Sequence, residues 1–282
     1  MFKPGGLSGH LPAESGPVKD RPIVRHAPAL VPAELVRLTK RLGEPARDMV
    51  CVAEGNTSVL TDEGLVIKAS GAQMSDVTAQ DFVVVDVERA VEILHRPNLT
   101  QRELERCLRD DSDPANERRA SIETLMHVAV IWETGASWVA HTHPTVVVGL
   151  ASVLENERMW LSPLFPDEAV TVGEPVWIPY MRPGLELARG VGAAISAYTE
   201  IHNSYPRLMI LANHGIVALG GSAQEVDAVS TMAVKAARAR LVARAFGDPH
   251  YLDPIEAGSL QEREDEVARR ARFTAAGRES KQ

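Results

Sequence analysis

Short apolar runs separated by turn residues occur along the first third of the chain. Val59–Leu60, Leu65–Ile67 and Phe82–Val85 are rich in β-branched, aliphatic and aromatic residues, and polar or glycine-containing stretches lie between them. Runs of this composition and spacing are typical of strands joined by turns. The pattern therefore predicts a meandering antiparallel sheet in this region.

Longer patterns predict helices elsewhere. Between Ser121 and Gly135 the residues are almost all apolar, which predicts a largely buried helix of about 12 residues. Ser222–Ala–Gln–Glu225 is a capping-box pattern that favours the start of a long helix ending at Phe246. Further helices are predicted over residues 32–42, 100–108, 144–154 and 184–201, and further strands over residues 138–140, 208–211 and 216–219.

The mixture of elements indicates an α/β layered domain with a mixed or antiparallel sheet. Repeated strand–helix–strand units and a GxGxxG motif are missing from the sequence, which argues against a dinucleotide-binding fold. The main domain is expected over residues 31–250. Residues 1–30 hold several prolines and predict an extended arm. Residues 251–282 are strongly charged and predict a helical tail, so each end is either solvated or packed on a neighbouring subunit.

Composition and charge exclude several classes of protein. The chain of 282 residues is 45% hydrophobic and 24% charged, which is ordinary for a globular protein. A net charge of −8 argues against nucleic-acid binding. Two cysteines are too few for a disulfide framework or a cysteine-rich metal site. No apolar run approaches about 18 residues and no secretory signal is evident, so we expect no membrane association and a cytoplasmic location.

Four residues have the chemistry of a metal site. His141 and His143 are spaced i, i+2 at the end of an apolar strand, so both imidazoles should project to one face. Glu123 begins the buried helix, where a carboxylate is costly unless it is paired or metal-bound, although the helix dipole also favours it there. His214 lies between two apolar strands as either a core residue or a ligand. Together these residues fit a catalytic zinc site, and His127 is interpreted as a packing or supporting group.

A second group of small polar residues predicts an anion pocket. Glycine-containing turns expose backbone N–H groups, and a helix N-terminus adds positive potential, so both favour phosphate or carboxylate. Taken singly, each of these features is also an ordinary turn or cap. The residues lie after one strand (Asn56, Thr57), after the next pair (Lys68, Ser70, Gly71) and before the buried helix (Arg118, Arg119, Ser121).

Five motifs carry a resemblance to a known family. EGNTSVL, IKASG, SIETLMH, VAHTHP and LANHGIVALG occur in this order and together resemble the class II aldolase/adducin family. The family includes the fuculose-phosphate and rhamnulose-phosphate aldolases and ribulose-5-phosphate 4-epimerase. The resemblance covers residues 33–250 and implies a three-layer α/β/α fold around a central, mainly antiparallel sheet.

The resemblance also implies a role for each matching residue. His141, His143 and His214 would hold zinc, with Mn, Co or Fe as other possible ions, and Glu123 would be the catalytic carboxylate that also reaches the metal. Family members are commonly homotetramers with active sites at subunit interfaces. The implied contacts to a substrate phosphate come from Asn56, Thr57, Ser70, Gly71 and Ser121, to which Lys68 and Arg119 are added as candidates.

Several residues distinguish branches of this family. Glu123 resembles the aldolases, since the epimerases resemble one another in having Asp there, and the three histidines are those that adducin-like modules have lost. Ile122 stands where a second serine is often found, which weakens the phosphate assignment. The tyrosine that some aldolases take from a neighbouring subunit has no clear match beyond Tyr251.

The resulting prediction is a zinc-dependent class II aldolase that cleaves or forms a C–C bond in a ketose through a metal-stabilised enediolate. The expected partner is a small sugar phosphate or sugar acid. An epimerase, dehydratase or decarboxylase at the same metal site is the main alternative, and Arg118 and Arg119 would suit a carboxylate substrate. A non-haem iron oxygenase and an adducin-like interaction module are further alternatives.

Overall fold

Eight strands form one sheet at the centre of the described chain. The computed structural model describes residues 22–110, 118–153 and 157–265. Across the sheet the strands have the order β1-β4-β3-β2-β5-β8-β7-β6, and every neighbouring pair is antiparallel except the parallel pair of the last two. The strands are β1 (Val24–Arg25), β2 (Asn56–Thr61), β3 (Gly64–Lys68), β4 (Phe82–Val85), β5 (Trp138–Thr142), β6 (Val176–Ile178), β7 (Leu208–Leu211) and β8 (Gly215–Gly220).

Helices connect these strands. None of the helices in the described ranges is long and apolar enough to cross a membrane. The helices are α1 (Ala33–Leu42), α2 (Val87–His95), α3 (Gln101–Cys107), α4 (Thr124–Thr134), α5 (Thr145–Ala151), α6 (Arg158–Leu161), α7 (Pro166–Val172), α8 (Leu185–His202), α9 (Ala223–Phe246) and α10 (Pro254–Glu262).

The helices cover both faces of the sheet and make three layers. Alternate residues of a strand point to opposite faces, and the apolar side chains divide into two buried clusters accordingly. Leu65 and Ile67 belong to the cluster that contains residues of α4 and α8, whereas Val66 belongs to the cluster that contains residues of α1 and α9. The α/β/α architecture with a mainly antiparallel sheet is the one predicted.

Most predicted elements are found close to their expected bounds. The helices α1, α3, α8 and α9 each begin and end within one residue of the prediction. The predicted capping box is only half formed: the Ser222 hydroxyl accepts from the Glu225 N–H at 3.2 Å, but the Glu225 carboxylate accepts from Gly221 at 2.9 Å. The helix predicted over residues 144–154 begins at Thr145 and ends at Ala151.

Both ends of the chain are partly described. In the predicted arm, Val24 pairs with Val85 as an edge strand and Ile23 is buried, so residues 22–30 join the layered body. Residues 1–21 of this arm lie outside the described residues. The predicted tail begins with α10, and residues 266–282 also lie outside the described part of the chain.

Candidate active site and metal centre

The four predicted metal ligands meet at one end of the central strands. His141 lies in β5 and His143 directly follows that strand. His214 lies in the turn between β7 and β8, and β8 pairs with β5. Glu123 is the residue before the first turn of α4. The ends of the central strands β5, β7 and β8 therefore position the three histidines.

Two residues beside His214 allow its turn to approach β5. A Cβ atom at Gly215 would lie 2.3 Å from the carbonyl oxygen of Thr142 and 2.9 Å from Cδ2 of His143. Asn213 has a φ of 56°, a left-handed conformation that asparagine adopts more readily than most residues. The lack of a side chain at Gly215 and the left-handed backbone at Asn213 therefore let His214 pack closely against His141 and His143.

The three imidazole rings lie around the Glu123 carboxylate. The ring centroids are 4.6 Å apart for His141 and His143, 4.8 Å for His141 and His214, and 4.9 Å for His143 and His214. Oε1 of Glu123 is 3.0 Å from Nε2 of His214, and Oε2 is 3.3 Å from Nε2 of His141. One potential ligand atom from each of the four residues lies within 4.8 Å of the others. The fold thus brings together all four predicted ligands.

The hydrogen bonds of two histidines test whether a metal ion fits. Nδ1 of His141 lies 2.9 Å from the carbonyl oxygen of Ile216, and Nδ1 of His143 lies 3.1 Å from Oε2 of Glu54. Because both partners are acceptors, each neutral ring carries its hydrogen on Nδ1. The two Nε2 atoms are then the ring nitrogens without another partner among these bonds, and they lie 2.8 Å apart. Nitrogens this close need a cation between them, which is either a proton on His141 or a metal ion bound by both, so the residues present fit a divalent metal ion.

The charge states of these residues also suit a metal ion. Burial by itself would raise the pKa of Glu123, but His141 and His214 outweigh this effect and hold the pKa well below its usual range. Burial, followed by the charges of His141 and His214, lowers the pKa of His143 to about 3. Near neutral pH the site therefore offers a carboxylate and a neutral imidazole, the forms that bind metal.

Asn56 belongs to this site, whereas the Thr57 side chain does not. Asn56 is opposite His141 in the β2–β5 ladder, is 3% exposed and donates from Nδ2 to Oε2 of Glu123 at 3.2 Å. The Thr57 hydroxyl is fully buried and lies 2.5 Å from the hydroxyl of Thr39 in α1. The Thr57 side chain thus points to α1, because neighbouring residues of a strand face opposite sides, and its contact with a phosphate stays a prediction.

The Lys68 ammonium group bonds to the turn that follows β3, where the anion pocket was predicted. Its side chain is almost fully buried, and Nζ lies 2.6, 3.3 and 3.4 Å from the carbonyl oxygens of Ala72, Ala69 and Ala53. An ammonium group has three donors, so these oxygens use all of them. Lys68 therefore joins the turn before Asn56 to the turn after β3, and its direct contact with a phosphate stays a prediction.

The remaining pocket residues lie beside the start of α4. Ser70 and Gly71 are exposed, and the Ser70 N–H donates to the carbonyl oxygen of Arg119 at 2.9 Å. Ser121 is half-buried, and its Oγ accepts from the N–H of Glu123 at 3.2 Å. The structure therefore places an exposed turn next to the residues that precede the carboxylate.

Two further candidates lie away from the four ligands. Arg118 donates to Oδ1 of Asp81 at 2.7 Å, which directs its guanidinium to that carboxylate. Tyr251 lines a cavity of about 720 Å³ with Arg158 and Arg244, and the described contacts do not connect it with Glu123. Neither side chain therefore faces the site within one chain.

The fold and the site define one class of protein. The family described as Class II Aldolase and Adducin N-terminal domain matches residues 33–241. The chain belongs to this family, as its motifs predicted, and the family's enzymes use a divalent metal of the kind that the candidate site fits.

One relative and two solved structures show how far the similarity extends. YuxG, an uncharacterized oxidoreductase of Bacillus subtilis (strain 168), is 24% identical over 183 residues, which are 60% of this chain and 24% of that protein. The chain thus matches about a quarter of the length of this relative. YgbL of Klebsiella pneumoniae, a proposed aldolase/epimerase/decarboxylase, shares 21% identity and a TM-score of 0.60 over 80% of this chain and 95% of that one. L-fuculose-1-phosphate aldolase from Thermus thermophilus shares 21% identity and a TM-score of 0.56 over 76% and 96%.

Proposed function

We propose that the protein is a zinc-dependent aldolase that forms or cleaves a C–C bond in a phosphorylated ketose. The observation that carries the proposal is the position of the Glu123 carboxylate, 3.0 Å from His214 and 3.3 Å from His141, with His143 beside them. Three imidazoles and one displaceable carboxylate are a donor set that suits a catalytic zinc ion. Membership of the class II aldolase/adducin family supports the same reading.

Each protein group has a defined part in this proposal. When bound by the three histidines, a divalent ion supplies Lewis-acid stabilisation of negative charge at the substrate carbonyl. Glu123 removes a proton from the hydroxymethyl carbon next to that carbonyl in synthesis and returns it in cleavage. It starts as the carboxylate because His141 and His214 hold its pKa low despite burial. Only 8% of Glu123 is exposed, which limits competing proton transfer from bulk water.

The substrate phosphate is proposed to bind at the turn of Ser70 and Gly71 together with Ser121. The turn is exposed, and Ser121 is hydrogen-bonded to the backbone of Glu123. Backbone N–H groups of such turns and of a helix start favour an anion. Arg119 is exposed beside the turn and adds positive charge, while Lys68 holds the turn in place.

An epimerase, dehydratase or decarboxylase acting on a sugar phosphate or sugar acid is the second candidate. These reactions use the same combination of a Lewis acid and a carboxylate base. A sugar acid needs a cation for its carboxylate, and Arg118 is already engaged by Asp81, so Arg119 would have to serve. Analysis of the products from a panel of sugar phosphates and sugar acids separates these reactions.

The proposal is tested by proton exchange, which requires no knowledge of the aldehyde. The zinc-loaded protein is incubated with dihydroxyacetone phosphate in D₂O, and the hydroxymethyl proton signals are followed by NMR. We expect stereospecific loss of one proton signal, which stops on addition of a chelator and is missing in Glu123→Gln. No exchange by the zinc-loaded protein would contradict the proposed donor and favour the second candidate.

Assembly into a homotetramer is a further part of the proposal. Leu241, Val242 and Phe246 expose apolar side chains at the end of α9, and Phe246 is 90% exposed. Exposed apolar patches often mark protein interfaces. Light scattering should give the mass of four chains, and Phe246→Asp should lower it; a monomer at micromolar concentration would contradict this part.

A cytoplasmic location is proposed as well. Cys51 is an exposed free thiol, which persists more readily in a reducing compartment. Fractionation of the source cells with compartment markers would test this location, and recovery with an extracytoplasmic marker would contradict it.

A further inference from the structure

His127 is a buried polar residue that the proposed reaction does not use. It lies one helical turn after Glu123 in α4, is 0% exposed, and is surrounded in that helix by buried apolar residues. Both of its ring nitrogens nevertheless have partners in β2. Nδ1 lies 2.8 Å from Oγ of Ser58, and Nε2 forms a short hydrogen bond with Oδ1 of Asn56.

These partners determine which nitrogen of His127 carries the hydrogen. An amide oxygen only accepts, so Nε2 must donate to Asn56. Nδ1 then accepts from the Ser58 hydroxyl. Burial, followed by the charge of His141, lowers the pKa of His127 to about 3, so the ring remains neutral at ordinary pH.

The orientation of the Asn56 amide follows from this bond. With Oδ1 held by His127, the NH₂ group faces Glu123, and Nδ2 lies 3.2 Å from Oε2 of the carboxylate. The reversed amide would place an acceptor oxygen against a carboxylate oxygen, and at 3% exposure Asn56 has little water to compensate. The hydrogen bond from His127 and the contact with the carboxylate therefore favour the same orientation of the amide, and the loss of His127 would leave the amide held at one end only.

We propose that His127 is a positioning residue, which fixes the Asn56 amide so that it holds the Glu123 carboxylate in place for metal binding and proton transfer. This inference rests on the proposed function for its catalytic consequence. The chain from Ser58 through His127 and Asn56 to Glu123 is fully internal to the described fold. Groups that orient a metal ligand in this way usually change metal affinity or activity by roughly 10- to 100-fold when removed.

Three variants test the catalytic consequence. His127→Leu removes the donor to Asn56, whereas His127→Gln retains an N–H near the same place. Thr134→Val is the matched control, because it removes another buried hydrogen-bonding group from α4, the hydroxyl that donates to Val130 at 2.7 Å. We expect His127→Leu to lower kcat for proton exchange by about 10- to 100-fold with a small change in KM, and His127→Gln to recover most of the loss.

Two further readouts do not depend on turnover. Competition with a chelator should show zinc binding weakened by about tenfold or more in His127→Leu but not in Thr134→Val. In the wild-type protein, ¹⁵N NMR should show His127 with its hydrogen on Nε2. Equal kcat and zinc affinity in His127→Leu and Thr134→Val, or a hydrogen on Nδ1, would overturn the inference.

These readouts separate this inference from the proposed function. If the wild-type protein exchanges no proton of dihydroxyacetone phosphate, the aldolase proposal fails, while zinc affinity and the His127 tautomer still decide whether the residue positions Glu123. If His127→Leu does not fold, the wild-type NMR measurement of the His127 tautomer decides the question.

Discussion

Glu54 and His143 are joined by a hydrogen bond of 3.1 Å between Oε2 and Nδ1, although they are 89 positions apart in the chain. The other carboxylate oxygen of Glu54 accepts from the backbone N–H of Cys51 at 2.6 Å. Glu54 is thus held on both sides and directs Nε2 of His143 towards His141. A carboxylate partner of this kind orients a ligand imidazole and increases its basicity.

Glu54→Gln should therefore weaken zinc binding by about 10- to 100-fold, because the amide orients His143 less firmly and adds less basicity. Glu63→Gln is the matched control, since Glu63 pairs with Arg25 at an exposed site. Titration of both variants against a zinc chelator measures the difference. Equal affinities would show that Glu54 has no influence on the ion.

His214→Ala should reduce the zinc content of the purified protein below one ion per chain, since it removes one of the three proposed imidazole ligands. His95→Ala is the control, because the Nδ1 atom of His95 bonds to the carbonyl oxygen of Val91 in α2. Emission spectrometry after dialysis gives the metal content. If His214→Ala retained stoichiometric zinc and full exchange activity, the ligand assignment would be wrong.

Gly215→Ala should destabilise the fold by about 1–3 kcal/mol, because its Cβ would overlap the backbone of Thr142 and the ring of His143. Gly149→Ala places the same methyl group on α5 where no atom lies within 4 Å, and it should stabilise the protein by up to about 1 kcal/mol. Urea unfolding of both variants compares them. A Gly215→Ala protein as stable as the wild type would refute the close approach.

The buried Lys68 predicts a pH dependence of stability. Burial lowers its pKa to about 8, against the opposing effects of Asp81 and Glu123. Below pH 8 the folded and unfolded chains both hold the proton, whereas above it the folded chain releases the proton first. The relevant quantity is the free energy of unfolding of the wild type minus that of Lys68→Met. This difference should rise by up to about 3 kcal/mol between pH 8 and 10.5.

Urea titrations of the chelator-treated proteins at several pH values measure this difference. The subtraction removes the groups that titrate equally in both proteins. A difference that is flat between pH 8 and 10 would show that the ammonium group of Lys68 is not destabilised by burial.

The grouping of the four candidate metal ligands could be predicted because local rules govern their positions. Strand alternation places His141 and His143 on one face. Glu123 was a candidate because a carboxylate at the start of an apolar helix is costly unless it is paired or bound to a metal ion. His214 was ambiguous by itself, since a histidine between two strands also suits a core. The sheet removes that ambiguity by pairing β8 with β5.

The candidate anion pocket is harder to derive from sequence because its geometry depends on turns. The alternation that identified His141 and His143 also directs the Thr57 side chain to the opposite face from Asn56, and applied to β2 it predicts the contact of Thr57 with Thr39. By contrast, the carbonyl oxygens around Lys68 and the contact of Glu54 with His143 depend on how separate loops meet. No spacing in the sequence signals such contacts.

The four candidate ligands also span a long segment of the chain, from Glu123 to His214. An ion that joined Glu123 to His214 would close a loop of roughly 90 residues, and its binding energy would be gained only by the folded chain. During synthesis the coordination set stays incomplete until His214 has left the ribosome. A product that ended before His214 would lack one of the candidate ligands and would not gain the full binding energy of such an ion.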